Sequence, residues 1–291
     1  MGVATFGNPS TVVANTNQDV VQTLALVNMA GDELAHEFNW QAATLQYNFT
    51  ATTFQYTGTT ASGSTAITGM SSIASLDATF MVTGVGIDQD TFVTSAAVST
   101  VNINRAATAT GSTTLTFSKV LFSFPSDFDR PVDRTQWDKS KHWEMLGPSS
   151  AQQWEWLKSG WISTGPRIRF RPFGGYFATW PPLGSTESLS YEYVSKFWVL
   201  PTTPTSPAPT KQAFTVDTDT CIFPDAMMRA LIRLKYFEAK GFDTTAMERA
   251  FITQRDLAKA NDAGSPTLSM NARPSSTLIG FENIPDSGYG T

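Results

Sequence analysis

Apolar residues recur at helical spacing in three parts of the chain. In the first, Val20, Leu24, Val27, Leu34 and Phe38 fall along one face of a repeat of about 3.6 residues. Asn17 stands where a cap belongs and Asp19 lies in the first turn, which predicts a helix running to about Asn39, with Trp40 following it. In the second, Ser149 and Gln152 have capping-box spacing ahead of Trp154 and Leu157, and Gly160 stops the short helix. In the third, Met227, Leu231 and Leu234 mark the buried face of a helix that opens at Pro224 and ends at Gly241. A second helix follows, capped by Asp243 or Thr245, with Thr245 and Glu248 at capping-box spacing and Met247, Phe251 and Leu257 along one side.

Other stretches alternate with a period of two. Leu45, Tyr47 and Phe49 in LQYNF read as a half-buried strand. RIRFRPF (167–173) alternates basic and apolar residues, and LSYEYVSKFWV (189–199) is predicted to be its partner strand. Residues 56–119 differ in texture, with no proline, no tryptophan and only five charged residues. Short strands STAIT, TFMV, FVTSAAV and TLTF are separated there by Gly, Ser and Asp turns, as expected of a β module inserted at a loop tip. PTTPTSPAPT (201–210) reads as an extended linker. Residues 264–291 have no periodicity and many breakers, and read as a tail that orders on a partner.

These elements predict an α+β protein in three parts. Residues 1–55 and 120–263 form a discontinuous body, in which one N-terminal and two C-terminal helices make a helical bundle beside a central antiparallel β subdomain. Residues 56–119 form a small all-β domain, sandwich- or barrel-like, and 264–291 an extended C-terminal docking tail.

Composition narrows the function classes. Charged residues make up 15% of the 291, against roughly 25% in ordinary soluble domains, and Ser and Thr fill the gap. So weakly charged a surface points to burial in an assembly. The net charge of −5 disfavours nucleic-acid binding as the main task, because phosphate affinity needs clustered Lys and Arg. Cys221 is the only cysteine, so neither an intrachain disulfide nor a thiolate zinc site is expected. The first residues lack a signal-peptide pattern and no run of about 18 apolar residues occurs, which predicts a soluble chain without membrane contact.

Candidate chemistry is sparse, and no cofactor, metal site or enzymatic activity is expected. His36 and His142 are the only histidines and read as structural or solvated. Neither a P-loop nor a G-x-S-x-G elbow occurs. Asp127, Asp129 and Asp133 lack the spacing of a calcium loop and have Arg130 and Arg134 as ion-pair partners. Asp217 and Asp219 in VDTDT read as caps for the approach to the Pro224 helix. Arg167, Arg169 and Arg171 share one strand face, with Glu192 expected across from them. Gly84 and Gly86 read as turn glycines, since no helix follows them. The segment 137–161 holds five of the eight tryptophans. Trp154 and Leu157 are expected in the core, whereas Trp143, Trp156 and Trp161, with Arg167 and Arg169, are expected at a seam between subunits.

The ordered set of an N-terminal helix ending in NWQ, a PSDFDR turn, GPSSAQQWEWLKSG, a basic strand, YEYVSKFWV, TVDTDT and a helix pair hinged at EAKGFD resembles the head-to-tail adaptor (connector) proteins of short-tailed bacteriophages. The likeness covers about 17–56 and 120–270, and residues 56–119 replace a short hairpin connection of the family pattern. The resemblance implies a virion structural protein, assembled in the host cytoplasm, that forms a homo-oligomeric ring, typically of twelve subunits, between portal and tail or nozzle protein. Double-stranded DNA would pass through it without specific recognition. Leu268, Leu278, Ile279, Phe281 and Tyr289 are the apolar positions with which the tail would strap along the portal. The competing expectation is a carbohydrate-binding or adhesin-like phage tail module in which the tryptophans stack on sugars.

Overall fold

The computed structural model describes residues 11–71, 73, 76–159, 167–184, 186–202 and 208–262. Among these are four α-helices, α1 (Gln18–Glu37), α2 (Ala151–Lys158), α3 (Asp225–Lys240) and α4 (Thr245–Asp262), together with several antiparallel sheets, so the class is α+β. The chain divides into two compact units. Of the described residues, one draws on 11–46, 127–132 and 192–262; the other on 47–126 and 133–191.

The first unit is built on helices. The Asn17 side chain accepts the Asp19 N–H at 3.0 Å, satisfying one of the orphan donors of α1. The helix ends at Glu37, not Asn39, because Phe38 turns to extended backbone. Ala30, Gly31, Leu34 and Ala35 bury its inner face. Gly31 is required by its neighbour: a Cβ there would lie 2.2 Å from the indole of Trp198, which is fully buried and donates its Nε1–H to Asp32 at 2.9 Å. Met227, Met228, Leu231 and Leu234 of α3 join the same core. Pro224 occupies the cap position of α3, one residue before the expected first turn, and Gly241 ends the helix in the left-handed conformation. The Asp243 carboxylate, two residues ahead of α4, accepts the Thr245 N–H and hydroxyl, and Thr245 is already helical and so is not itself the cap. Phe251 and Ala258 are the buried residues of α4, whereas Leu257 is 55% exposed. It stands six residues after Phe251, a rotation of about 120° away from that face.

The second unit is mostly sheet. The strand Thr44–Thr50, which leads into it, alternates as expected, with Leu45, Tyr47 and Phe49 half-buried. A six-stranded antiparallel sheet follows, in the order Thr53–Thr60, Gly111–Lys119, Phe80–Thr83, Thr91–Ala97, Thr100–Ile103, Ala66–Ile67. Thr59 and Thr68 exchange backbone hydrogen bonds at 2.8 and 3.0 Å, so the last strand meets the first and the sheet closes on itself. Ile67, Val82, Val101, Leu115 and Phe117 fill its interior. Gly86 is a turn glycine at φ +77, where a Cβ would meet that of Ala109 at 2.9 Å.

The basic strand pairs differently from expectation. Arg169–Phe173 forms a hairpin with Tyr176–Trp180 across Gly174 and Gly175, both at positive φ, and Tyr176–Trp180 pairs in turn with Leu121–Ser123. Trp180 and Ala178 lie opposite Arg169 and Arg171; Glu192 does not. In the strand Ser188–Ser195, residues Leu189 and Ser190 pair with Asp138 and Trp137 in this unit, whereas Tyr193, Val194 and Ser195 pair with Phe128–Pro131 in the first.

Candidate interaction surfaces

The tryptophan segment is divided by the short helix inside it. Ser150 caps α2, accepting the Gln153 N–H at 3.2 Å; the expected cap, Ser149, instead gives its N–H to the Phe170 carbonyl. This phase turns Trp154 and Leu157 inward against Met81, Val120, Ala178 and Trp180. Trp154 is 5% exposed, so its ring cannot serve as a sugar platform, whereas Trp156 is 56% exposed. Beside it the Glu155 side chain is 70% exposed and reaches Lys158 at 3.4 Å. Lys158 also bridges to Asp90 at 3.2 Å, tying α2 to the closed sheet. Trp143 is half-buried in a two-residue ladder opposite Asp138. Trp161 lies outside the described residues, as do Leu268, Leu278, Ile279, Phe281 and Tyr289.

Arg167, Arg169 and Arg171 are all half-buried. Among the described residues Arg169 and Arg171 make no ion pair, and the buried Nε of Arg169 has no hydrogen-bond partner. The Arg171 guanidinium lies 5.3 Å from the centre of the Phe173 ring, itself 53% exposed near the hairpin tip. A second surface of this unit is a groove of about 820 Å³ lined by Thr53, Gln55, Thr83, Thr116, Ser118 and the Pro182–Gly184 loop. Gln55, Thr116 and Thr83 form one cross-strand row there, because outward positions recur every second residue.

In the first unit α3 and α4 leave a groove of about 440 Å³ between them. Ala226, Ala230, Ala250 and Thr253 line it, with Arg229 and Arg233 one helical turn apart on α3. Sequence reasoning missed this groove. Its signal was present as alanines at 226, 230 and 250, small side chains facing each other across a helix pair. Val21 and Met29 on α1, and Ile252 and Leu257 on α4, add further exposed apolar positions.

The acidic clusters are taken up by the fold. Asp129 pairs with Arg130 and lies 3.5 Å from the His36 Nε2. Arg130 also donates to Asn39 and to the Phe38 carbonyl, at 2.9 Å each, and Asp127 accepts the Tyr193 hydroxyl. Asp217 accepts the N–H groups of Val12 and Val13. Asp219 accepts from the Lys211 ammonium and from the N–H groups of Thr215 and Val216. Burial pushes its pKa up, but the lysine and the two N–H donors outweigh that and hold the carboxyl below its ordinary value. Burial also pushes the Cys221 thiol up. Among the described residues no group of three or more His, Cys, Asp or Glu is placed to hold a metal, and no helix is long and apolar enough to cross a membrane.

No family model matches the chain, and no curated protein matches it.

Its described surface carries single exposed aromatic side chains, Trp156 on α2 and Phe173 near a two-glycine turn; taken separately, the first unit has a groove lined by small residues and the second a groove lined by hydroxyl-bearing residues.

Proposed function

We propose that the chain is a non-enzymatic structural subunit of a phage virion, a head-to-tail adaptor that assembles as a ring between portal and tail and leaves a channel for DNA. The observation that carries this reading is the distribution of exposed apolar side chains on separate elements: Val21 and Met29 on α1, Ile252 and Leu257 on α4, Trp156 on α2 and Phe173 near the hairpin tip. A subunit that closes head-to-tail buries two different faces, and so needs apolar anchors on more than one element. The charged fraction of 15% supports the same reading, and the net charge of −5 suits a wall past which phosphates slide. The resemblance of the ordered motifs to those of the adaptor family supports the same reading. Electron microscopy of the protein mixed with its portal tests the proposal: a ring added to the portal is expected, and a portal left bare would overturn it.

The hydroxyl-lined groove at Thr53, Gln55, Thr83 and Thr116 favours a second reading, a glycan-binding module. Glycan-array binding lost on Gln55→Ala would support that reading over the adaptor.

A further inference from the structure

The groove between α3 and α4 and the exposed face of α2 complement each other in charge. The groove is lined by the short side chains of Ala226, Ala230, Ala250 and Thr253, and its volume of about 440 Å³ leaves ample room for an indole ring. Arg229 and Arg233 stand over it. Arg229 pairs with Asp225 at 3.0 Å in a contact whose side chains are 73% and 80% exposed, the kind of pair that exchanges partners at little cost. Arg233 is exposed and makes no ion pair among the described residues. Helix α2 presents the complement: the Trp156 indole, more than half exposed, with the Glu155 carboxylate next to it.

We infer that Trp156 of one copy seats in the α3–α4 groove of a second copy, with Glu155 meeting Arg229 or Arg233 at its rim. The inference rests on the assembly reading above and names its seam. A guanidinium above an indole face and a carboxylate beside it are both attracted, and tryptophan and arginine are the side chains that most often anchor interfaces. The second copy is the fitting occupant because the same chain supplies ring, acid, floor and base. Knob and groove are different patches, so the contact is heterologous: it repeats around a ring if the rotation closes and along a filament if it does not.

The test uses the full chain with Cys221→Ser, as two populations carrying Gln152→Cys beside Trp156 or Gln254→Cys at the groove. Mixed and oxidised at high concentration, they should form the cross-linked pair between populations about tenfold more often than either self-pair. Trp156→Ala and Glu155→Arg should each reduce that yield. Combining Glu155→Arg in one population with Arg229→Glu and Arg233→Glu in the other should restore it, a rescue that misfolding cannot mimic. A mixed pair no more frequent than the self-pairs, or one indifferent to Trp156→Ala, overturns the inference. Cross-linking by a protein that adds no ring to the portal keeps this seam and sinks the adaptor reading; a portal-bound ring whose copies do not cross-link here does the reverse.

Discussion

Successive helical residues turn by about 100°, so Trp154 and Trp156, two positions apart on α2, point about 200° apart, one inward and one outward. Their deletions should differ accordingly. Trp154→Ala should cost about 3–5 kcal/mol, the range for removing a buried aromatic, whereas Trp156→Ala should stay within about 0.5 kcal/mol. Thermal denaturation of the two variants decides it, and equal losses would contradict the burial described. Asp219 offers a residue-scale test of pH dependence. Its folded pKa is depressed, so the stability it contributes is complete above the ordinary carboxylate value of 3.8 and is lost as pH falls through the lower folded value. Asp219→Asn should therefore lower stability at neutral pH and make the loss on acidification shallower, as measured by urea unfolding from neutral to acid pH.

At the scale of elements, α2 depends on its cap. Ser150→Ala removes the side-chain acceptor of the Gln153 N–H and should cost about 1 kcal/mol, whereas Ser149→Ala leaves that bond intact. Comparing the two by chemical denaturation checks which serine is the cap. The difference also marks what could be read from sequence. α1 was legible because its cap, acidic first turn and apolar repeat all agree, and α3 because Gly241 gives it a left-handed stop. The partner of the basic strand was not legible from alternation alone, since an alternating strand suits any antiparallel neighbour. What decided it was local: Gly174 and Gly175 take positive φ without strain and turn the chain straight back on itself. Of the candidate site, the inward and outward tryptophans followed from helical phase, but the α3–α4 groove did not, because a gap between two helices depends on how small their facing side chains are together.

For the whole molecule, the sparse charge sets how the proposed adaptor would meet DNA. If it lines a channel as proposed, a chain of net charge −5 should bind duplex more weakly than the roughly 10⁻⁴–10⁻⁶ M of ordinary non-specific binders at physiological salt. Fluorescence anisotropy with a labelled duplex at low and physiological salt measures this, and tight binding with a steep salt dependence would contradict a sliding surface. The closed sheet bears on assembly in another way. Because Thr59 and Thr68 bridge its last strand to its first, the backbone N–H and C=O groups at that seam are taken up within the module and are not open to a strand from another chain. If copies pack side by side as proposed, contacts at that seam would be made by side chains, each copy keeping its own backbone pairing there.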